Sequence, residues 1–162
     1  MAFLAWSNSV KEGQPIDQKY IYNTFGCKGK NISPAIEWSD EPANTKSFAL
    51  TVHDPDAPHA GGWLHWAVVN IPGSVHGLVE GASNERKLPK QARELKTTYG
   101  DNHYGGPCPP KGAKAHHYVF TVYALKEDFK EGDNKVSPEN INSLLNEKSL
   151  DKASFTIEYG RE

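Results

Sequence analysis

The sequence lacks the features that mark nucleic-acid-binding and membrane-spanning proteins. It has 162 residues, with 18 Lys and Arg against 20 Asp and Glu, so there is no basic excess to form a nucleic-acid-binding or polybasic membrane-binding surface. Its uninterrupted apolar runs are far shorter than the roughly 20 residues that a helix needs to span a bilayer. No repeat, linker or change in composition divides the chain, so we expect one domain over residues 1–162.

Cysteine is scarce as well. The two cysteines, Cys27 and Cys108, stand in no CxxC motif, which excludes a cysteine-rich zinc ribbon. The N-terminal residues 1–8 include neither a basic stretch nor a long apolar one, which predicts a cytoplasmic protein. A reducing cytosol favours two free thiols. The alternative is a Cys27–Cys108 disulfide between two glycine-rich loops, which would stabilise the fold by about 4–5 kcal/mol in the chain-entropy description.

Glycine and proline are abundant, which suits many turns between short strands. The chain has 14 Gly and 11 Pro, above the usual combined share of roughly 12%. Segments rich in β-branched and aromatic residues predict strands at 45–54, 63–71, 116–125 and 153–159, with shorter ones at 20–22 and 35–38. One helix is predicted over 138–145, with Ser137 as N-cap and Pro138 in its first position. This pattern indicates an all-β protein with minor short helices, built as an antiparallel β-sandwich.

The predicted strand at 63–71 lacks strict alternation of polar and apolar residues. If its side chains alternate in direction, one face carries His65, Ala67, Val69 and Ile71, and the other carries Leu64, Trp66, Val68 and Asn70. Both faces are mostly apolar, so we expect this strand to be covered on both sides within the sheet.

Side chains capable of chemistry collect where the predicted strands begin and end. Asp54 closes one strand and His65 lies near the start of the next, so antiparallel pairing would bring both to the same end of the sheet. His116 and Tyr118, two residues apart at the start of a third strand, share a face. The preceding loop, 104–112, is stiffened by prolines, and its glycines allow close approach of the backbone to a ligand. These residues predict a small pocket whose imidazole, phenol and backbone N–H groups suit an oxyanion.

Several long runs of residues occur together in this chain. They are DPDAP (54–58), GGWLHWAVVNIP (61–72), GGPCPPKG (105–112) and HHYVFTVYAL (116–125). FGCKGKNISPAIEW (25–38), TKSFALTVHDPDAP (45–58) and the closing Tyr159-Gly160-Arg161 extend the set over nearly the whole chain. Together the runs resemble the phosphatidylethanolamine-binding protein family, most closely its bacterial branch of Raf-kinase-inhibitor-like proteins.

The resemblance implies a β-sandwich whose pocket binds a phosphate-like anion, a phosphorylated small molecule or a phospholipid head group, without a cofactor or metal. It also implies a regulator that inhibits a kinase or protease, and a homodimer. The family's usual arginine is replaced here by His117, which alternation directs away from the pocket. The ligand-binding positions that the resemblance assigns are Asp54, Asp56, Trp63, His65, Gly106, Pro107, Cys108, Pro109, His116 and Tyr118. Two of them have structural alternatives, Asp56 as a turn former and Trp63 as a core residue.

Two other functions stay open for the same residues. Asp54 and His65 can form the dyad of a hydrolase, for which Cys108 is the attractive nucleophile because no Ser or Thr stands in a recognisable elbow. His65, His116, Asp54 and Asp56 can instead bind zinc, with ligands supplied by separate strands.

Overall fold

Antiparallel pairing organises the chain into two sheets. The computed structural model describes residues 2–161, whose elements are β1 Leu4–Trp6, β2 Ile36–Ser39, β3 Ser47–Asp54, β4 Trp63–Pro72, β5 Gly77–Leu78, β6 Arg93–Glu94, β7 His116–Leu125, α1 Ile141–Lys148 and β8 Ser149–Tyr159. One sheet has five strands in the order β6-β4-β3-β7-β8, and the other has three in the order β1-β2-β5. All pairings between these strands are antiparallel. The expected antiparallel, mostly β fold is confirmed.

The five-stranded sheet is apolar on both faces, and each face contributes to a core. The core shared with the three-stranded sheet includes Trp38 of β2 and Trp66 of β4. The core shared with α1 includes Leu64 and Ala67 of β4 together with Leu145 of the helix. Burial of each large apolar side chain contributes about 1.5–3 kcal/mol to stability. Strand β4 is therefore covered on both sides, as its sequence predicts.

The predicted alternation along β4 is wrong, because the strand contains two β-bulges. Its pairing with β3 shifts once between Val52 and His53 and once between Phe48 and Leu50, whereas β3 pairs with β7 through the same residues without a shift. The extra residues therefore belong to β4. Each bulge reverses the direction of the side chains beyond it, so Trp66 and Val68 share a core with Ile71, while Leu64 shares the other with Ala67 and Val69.

Other local predictions also needed correction. The segment 20–22 is not a strand. Its first residue ends a 3-10 turn over Gln18–Tyr20, which follows Asp17, whose carboxylate accepts a hydrogen bond from Lys19 N at 2.9 Å. The α-helix begins at Ile141, after a separate 3-10 turn over Pro138–Asn140, and the Ser137 side chain makes no capping bond. Strands β1, β5 and β6 were not predicted, since two or three residues are too few to show a pattern.

Candidate functional site

The ends of three neighbouring strands surround a cavity of about 310 Å³. Asp54 ends β3 and pairs with Trp63, the first residue of β4. His116 and Tyr118 lie at the start of β7, which pairs with β3 on its other side. In an antiparallel sheet the end of β3 and the starts of β4 and β7 meet at one edge. The sheet therefore brings Asp54, Trp63, His116 and Tyr118 together with His65 around one cavity.

His65 owes its position to the first bulge of β4. Val52 pairs with Trp66 and His53 with Leu64, so His65 has no partner on β3. Its buried ring lies with Nδ1 2.7 Å from the carbonyl oxygen of Gly105. A carbonyl can only accept a hydrogen bond, so Nδ1 carries the proton and Nε2 has the lone pair of the neutral ring. Burial lowers the pKa of His65 to about 4, so this imidazole is neutral at pH 7.

Asp54 pairs with His116, so the predicted Asp54–His65 dyad is wrong. The Nδ1–H of His116 donates to Asp54 Oδ2 at 2.7 Å, and both side chains are buried. The other carboxylate oxygen accepts a hydrogen bond from Asp56 N at 2.8 Å. The pairing was missed because His116 lies on the strand on the other side of β3, while the Nδ1 of His65 is already bonded to Gly105.

Asp56 and His117 lie outside the cavity. The carboxylate of Asp56 accepts hydrogen bonds from the backbone N–H of His117 at 2.8 Å and from its Nδ1–H at 2.7 Å. The Nε2 of His117 lies 2.9 Å from Glu158. This hydrogen bonding lowers the pKa of Asp56 and raises that of His117. The side chain of Asp56 therefore ties the 55–58 turn to His117 of β7. Asp56 does not line the cavity, although the resemblance assigns it a ligand-binding position.

The glycine- and proline-rich loop contributes only part of its length to the cavity wall. Cys108 and Pro109 line the cavity, and Pro110, which was not predicted, lines it too. Gly106 and Pro107 do not. The N–H of Gly106 donates to Asn31 Oδ1 at 2.6 Å, and a side chain at this position would meet Tyr20 O at 2.2 Å. Close backbone packing against residues 20–22, rather than approach to a ligand, explains this glycine.

A disulfide between Cys27 and Cys108 joins two loops at the cavity. The expectation of two free thiols is therefore wrong, and the disulfide alternative is correct. The fold brings the two cysteines together, and their positions in the sequence, 81 residues apart, could not reveal this. Because Cys108 Sγ is bonded to Cys27, it carries no thiol, and the hydrolase interpretation loses its nucleophile.

Arg161 supplies a positive charge that sequence reasoning missed as a site residue. Its guanidinium lines the cavity and donates to the carbonyl oxygens of Gly26 at 3.2 Å and Pro109 at 3.1 Å, so it bridges the two disulfide-bonded loops. Within residues 2–161 it forms no ion pair with a carboxylate. The closing Tyr159-Gly160-Arg161 run carried part of the family resemblance, which was the available signal.

An aromatic wall completes the cavity. The ring of Tyr99, another missed residue, lies 5.3 Å from that of Trp63 and 5.5 Å from that of His65. Burial raises the pKa of both Tyr99 and Tyr118, which keeps their phenols protonated and able to donate. Tyr99 donates to Gly106 O at 2.8 Å, and Trp63 Nε1 is buried without a partner within the described part of the chain. The remaining lining residues that were not predicted are Phe25, Ala57 and Pro58.

The arrangement suits a small anion better than a metal ion. Among residues 2–161, no three His, Cys, Asp or Glu side chains are grouped to hold a metal, so Asp54, Asp56, His65 and His116 do not form the proposed zinc site. Asp56 lies outside the cavity, and the Nδ1 atoms of His65 and His116 are occupied by Gly105 and Asp54. The guanidinium of Arg161, on the cavity wall, suits an anion.

Comparison with known proteins finds relatives along nearly the whole chain. The family profile described as Phosphatidylethanolamine-binding protein matches residues 6–160. UPF0098 protein YbcL of Escherichia coli K12 is 42% identical over 160 residues, covering 98% of this chain and 87% of that protein. Its crystal structure, described as a new member of the mammalian PEBP family, matches with a TM-score of 0.93, covering 99% of both chains at 41% identity. A phosphatidylethanolamine-binding protein homologue from Chlamydia trachomatis, CT736, matches with a TM-score of 0.79, covering 99% of both chains at 31% identity.

Proposed function

The chain belongs to the phosphatidylethanolamine-binding protein family, and on that basis we propose that its cavity binds the phosphoryl group of a small molecule or a lipid head group. The observation that carries the proposal is the Arg161 guanidinium. It lines a largely aromatic and proline-walled cavity and, within residues 2–161, makes hydrogen bonds to carbonyl oxygens without a carboxylate partner. A phosphoryl oxygen would supply the negative charge that this cation lacks.

The dimensions and donors of the cavity also favour a small polar group. About 310 Å³ is at the lower end of the range for small-molecule sites. The phenol of Tyr118 is a neutral donor that would bind a phosphoryl oxygen without adding charge. Ligand-binding roles for Asp54, Trp63, His65, Cys108, Pro109, His116 and Tyr118 are thus part of the proposal, and Arg161 joins them.

We propose binding without turnover. The Asp54–His116 pair resembles the base and orienting acid of a hydrolase, but the disulfide removes Cys108 as its nucleophile. Inhibition of a kinase or protease and assembly into a homodimer stay predictions from the family resemblance.

The location of the protein also stays a prediction. The structure has no helix in its described residues that is long and apolar enough to cross a membrane. The Cys27–Cys108 disulfide favours an oxidising compartment over the cytoplasm, because disulfides are rare in a reducing cytosol. The protein is extracted from cells with an alkylating agent, unfolded without reductant, and its alkylated cysteines are counted. No alkylated cysteine is expected from an oxidising compartment, and two are expected from a reducing cytosol.

Thermal unfolding with and without O-phosphoethanolamine tests the proposed binding. At one hundred times its Kd, a ligand that binds only the folded protein stabilises it by about 2.7 kcal/mol, which raises the Tm of a chain of this size by roughly 5–10 °C. We expect Arg161→Gln, His65→Ala and Asp54→Asn to abolish the rise. Lys152→Gln removes a positive charge from the opposite end of the sheet and should leave the rise intact. An unchanged Tm of the unsubstituted protein at tens of millimolar ligand would contradict the proposal.

A further inference from the structure

An exposed aromatic ring at the cavity mouth indicates what kind of surface this face of the protein meets. Building on the proposed function, we infer that the two loops joined by the Cys27–Cys108 disulfide dock on an anionic phospholipid bilayer, with Phe25 inserted at its interface. The cavity then takes its head group from a membrane lipid rather than from a soluble phosphate. The backbone and exposure of Phe25 support this docking, and so do the charges of the two loops.

Phe25 occupies a turn position that suits asparagine or glycine rather than an aromatic residue. Phe25 and Gly26 have φ values of 55° and 83°, and Cys27 N donates to Thr24 O at 3.0 Å, which is the pattern of a type I′ turn. Asparagine and glycine adopt the left-handed region readily, whereas it is unfavourable for a bulky side chain. Local backbone preference therefore does not explain a phenylalanine here.

Packing does not explain Phe25 either. Its exposed fraction is 79%, the highest of the large apolar side chains in the described part of the chain. The ring stacks on Tyr22 with 5.8 Å between centroids, and Tyr22 stacks on Tyr99 of the cavity wall at 4.2 Å. The aromatic wall of the cavity thus continues outward to Phe25. A ring that is both strained and exposed adds little to folding, so its position fits contact with an external apolar surface.

The two loops beside this ring carry positive charge only. Segments 22–36 and 102–115 contain four lysines and no Asp or Glu, although acidic residues outnumber basic ones in the whole chain. All four lysines are exposed, and none forms an ion pair within residues 2–161. They are Lys28, Lys30, Lys111 and Lys114. The lack of an overall basic excess therefore conceals a local one.

These charges belong to the loops at the cavity mouth. Lys28 follows Cys27 of the disulfide, and Lys111 follows Pro110 of the cavity wall. The guanidinium of Arg161 donates to a carbonyl oxygen of each loop and adds a fifth positive charge. The exposed ring and the cations are thus parts of one rim around the cavity.

A bilayer fits this rim better than a protein partner does. Aromatic rings favour the interface between lipid and water, and each lysine near an anionic membrane strengthens binding by about fivefold. A stable protein interface buries roughly 800 Å² on each side, with an apolar centre. The rim offers one exposed large apolar side chain, Phe25, because the others lie elsewhere in the described chain. A single ring on a turn can enter a fluid bilayer without a matching pocket.

Co-flotation with vesicles tests the docking. One set contains equal amounts of phosphatidylethanolamine and phosphatidylglycerol, and the other replaces the anionic phosphatidylglycerol with electrically neutral phosphatidylcholine. We expect at least tenfold tighter binding to the anionic set at an ionic strength of about 0.1 M. Most of this preference should be lost at about 1 M, where the Debye length falls from about 10 Å to about 3 Å. Equal binding to both sets would overturn the inference. Binding to neither would also overturn it, and would favour an acidic protein as the partner of the rim.

Phe25→Asn tests the turn. Asparagine suits the backbone conformation, so the Tm should be equal or higher, while affinity for the anionic vesicles should fall by about tenfold or more. Phe25→Trp should keep the affinity, because indole also favours the interface. The matched control is Leu150→Thr, which removes an exposed apolar side chain at the opposite end of the sheet and should leave vesicle binding unchanged. Undiminished binding by Phe25→Asn, or a Tm lowered by more than about 4 °C, would overturn the role of Phe25.

Paired lysine variants test the charges of the rim. Lys28→Gln combined with Lys111→Gln should weaken binding to the anionic vesicles by about tenfold or more. Lys126→Gln combined with Lys152→Gln removes the same charge at the opposite end of the sheet and should change it by less than about twofold. An equal loss in both pairs would mean that overall charge, and not the rim, attracts the membrane, and would overturn the inference.

Soluble O-phosphoethanolamine separates the docking from the proposed function. Vesicle binding that depends on Phe25, in a protein whose Tm does not respond to the soluble ligand, supports the docking and contradicts the proposed binding in the cavity. A Tm that responds to the soluble ligand, in a protein that does not bind vesicles, contradicts only the docking.

Discussion

The two bulges of β4 use the same backbone device for different ends. At the Asn70 bulge, Asn70 has a φ of 56° and its amide is fully used, since Nδ2 donates to Phe129 O at 3.1 Å and Oδ1 accepts from Phe129 N at 2.8 Å. At the His65 bulge, one ring nitrogen bonds to Gly105 and the other lies on a cavity wall. We call the Asn70 bulge closed, because its amide bonds within the protein, and the His65 bulge open, because it leaves a polar atom available to a ligand.

This comparison suggests how to recognise a functional bulge. Bulges re-aim side chains, and they occur both at structural corners and beside binding sites. Nearly every buried polar group in a folded protein has a partner. A bulged residue whose polar atoms are all bonded within the protein therefore stabilises the fold, while one with an atom left over is a candidate for ligand contact.

The largest expected effect is the pH dependence that His65 gives to stability. An unfolded histidine titrates near pH 6.5 and folded His65 near pH 4, so between these values the unfolded state binds the extra proton. The contribution is complete above about pH 6.5 and is lost as the pH falls through about 4. It amounts to roughly 3 kcal/mol between pH 7 and pH 4.

Urea denaturation at both pH values measures this effect. The free energy of unfolding of His65→Gln should fall by roughly 3 kcal/mol less than that of the unsubstituted protein over this range. Groups that do not interact with His65 titrate equally in both proteins, so the difference reports His65 together with its neighbours Asp54 and His53. Equal pH dependence of the two proteins would show that His65 is not buried as a neutral ring.

Sequence reasoning succeeded where neighbouring residues decide the structure. The spans of β3, β4 and β7 were predicted within two residues because aromatic and β-branched residues in them end at turn formers such as Pro55. It failed where distant segments decide. The Asp54–His116 pair depends on which strand lies on the far side of β3, and the role of Arg161 depends on the loops that contain Gly26 and Pro109.

The bulges set a second limit on what could be predicted. One inserted residue reverses every side chain beyond it, so strict alternation assigned Ile71 and Leu64 to the wrong faces of β4. Asn70 offered a signal, because asparagine is one of the few residues that tolerate a positive φ. His65 offered none, since its bulge follows from contacts with Gly105, forty positions along the chain.

A smaller effect is expected at the closed bulge. Asn70→Ala removes both hydrogen bonds to the backbone of Phe129 and places alanine in the left-handed region, so the free energy of unfolding should fall by about 2 kcal/mol. Asn70→Gly keeps the backbone conformation accessible and should recover about 1 kcal/mol of this loss. Chemical denaturation at pH 7 measures both values.

Affinity for O-phosphoethanolamine distinguishes Asn70→Ala from variants of His65. Folded Asn70→Ala should bind O-phosphoethanolamine with an unchanged Kd and keep the pH dependence of the unsubstituted protein, because Asn70 lies toward the opposite end of β4 from the cavity. A weakened Kd in this variant would mean that the two bulges are coupled through β4, and the distinction between them would not hold.

The smallest expected effect is the pH dependence that His117 gives to stability. Its sign is opposite to that of His65, which helps to assign the loss of stability in acid to His65. His116 and His117 are adjacent, but the first is buried against Asp54 and the second is exposed between Asp56 and Glu158. The hydrogen bond to Asp56 raises the pKa of His117, the opposite direction to His65. Its contribution to stability is therefore present below pH 6.5 and lost as the pH rises through the folded pKa, so it cannot imitate the loss that His65 causes in acid.

NMR titration of the imidazole C–H signals tests this opposition directly. His117 should titrate above 6.5 in the unsubstituted protein, and Asp56→Asn should bring its pKa down toward that value because the carboxylate that holds its proton is gone. Glu158→Gln, which removes the other acceptor of the same ring, should lower it by less, since the bond to Asp56 is the larger cause. A His117 that titrates below 6.5 would mean that both histidines lose stability in acid, and the pH dependence could no longer be assigned to the open bulge alone.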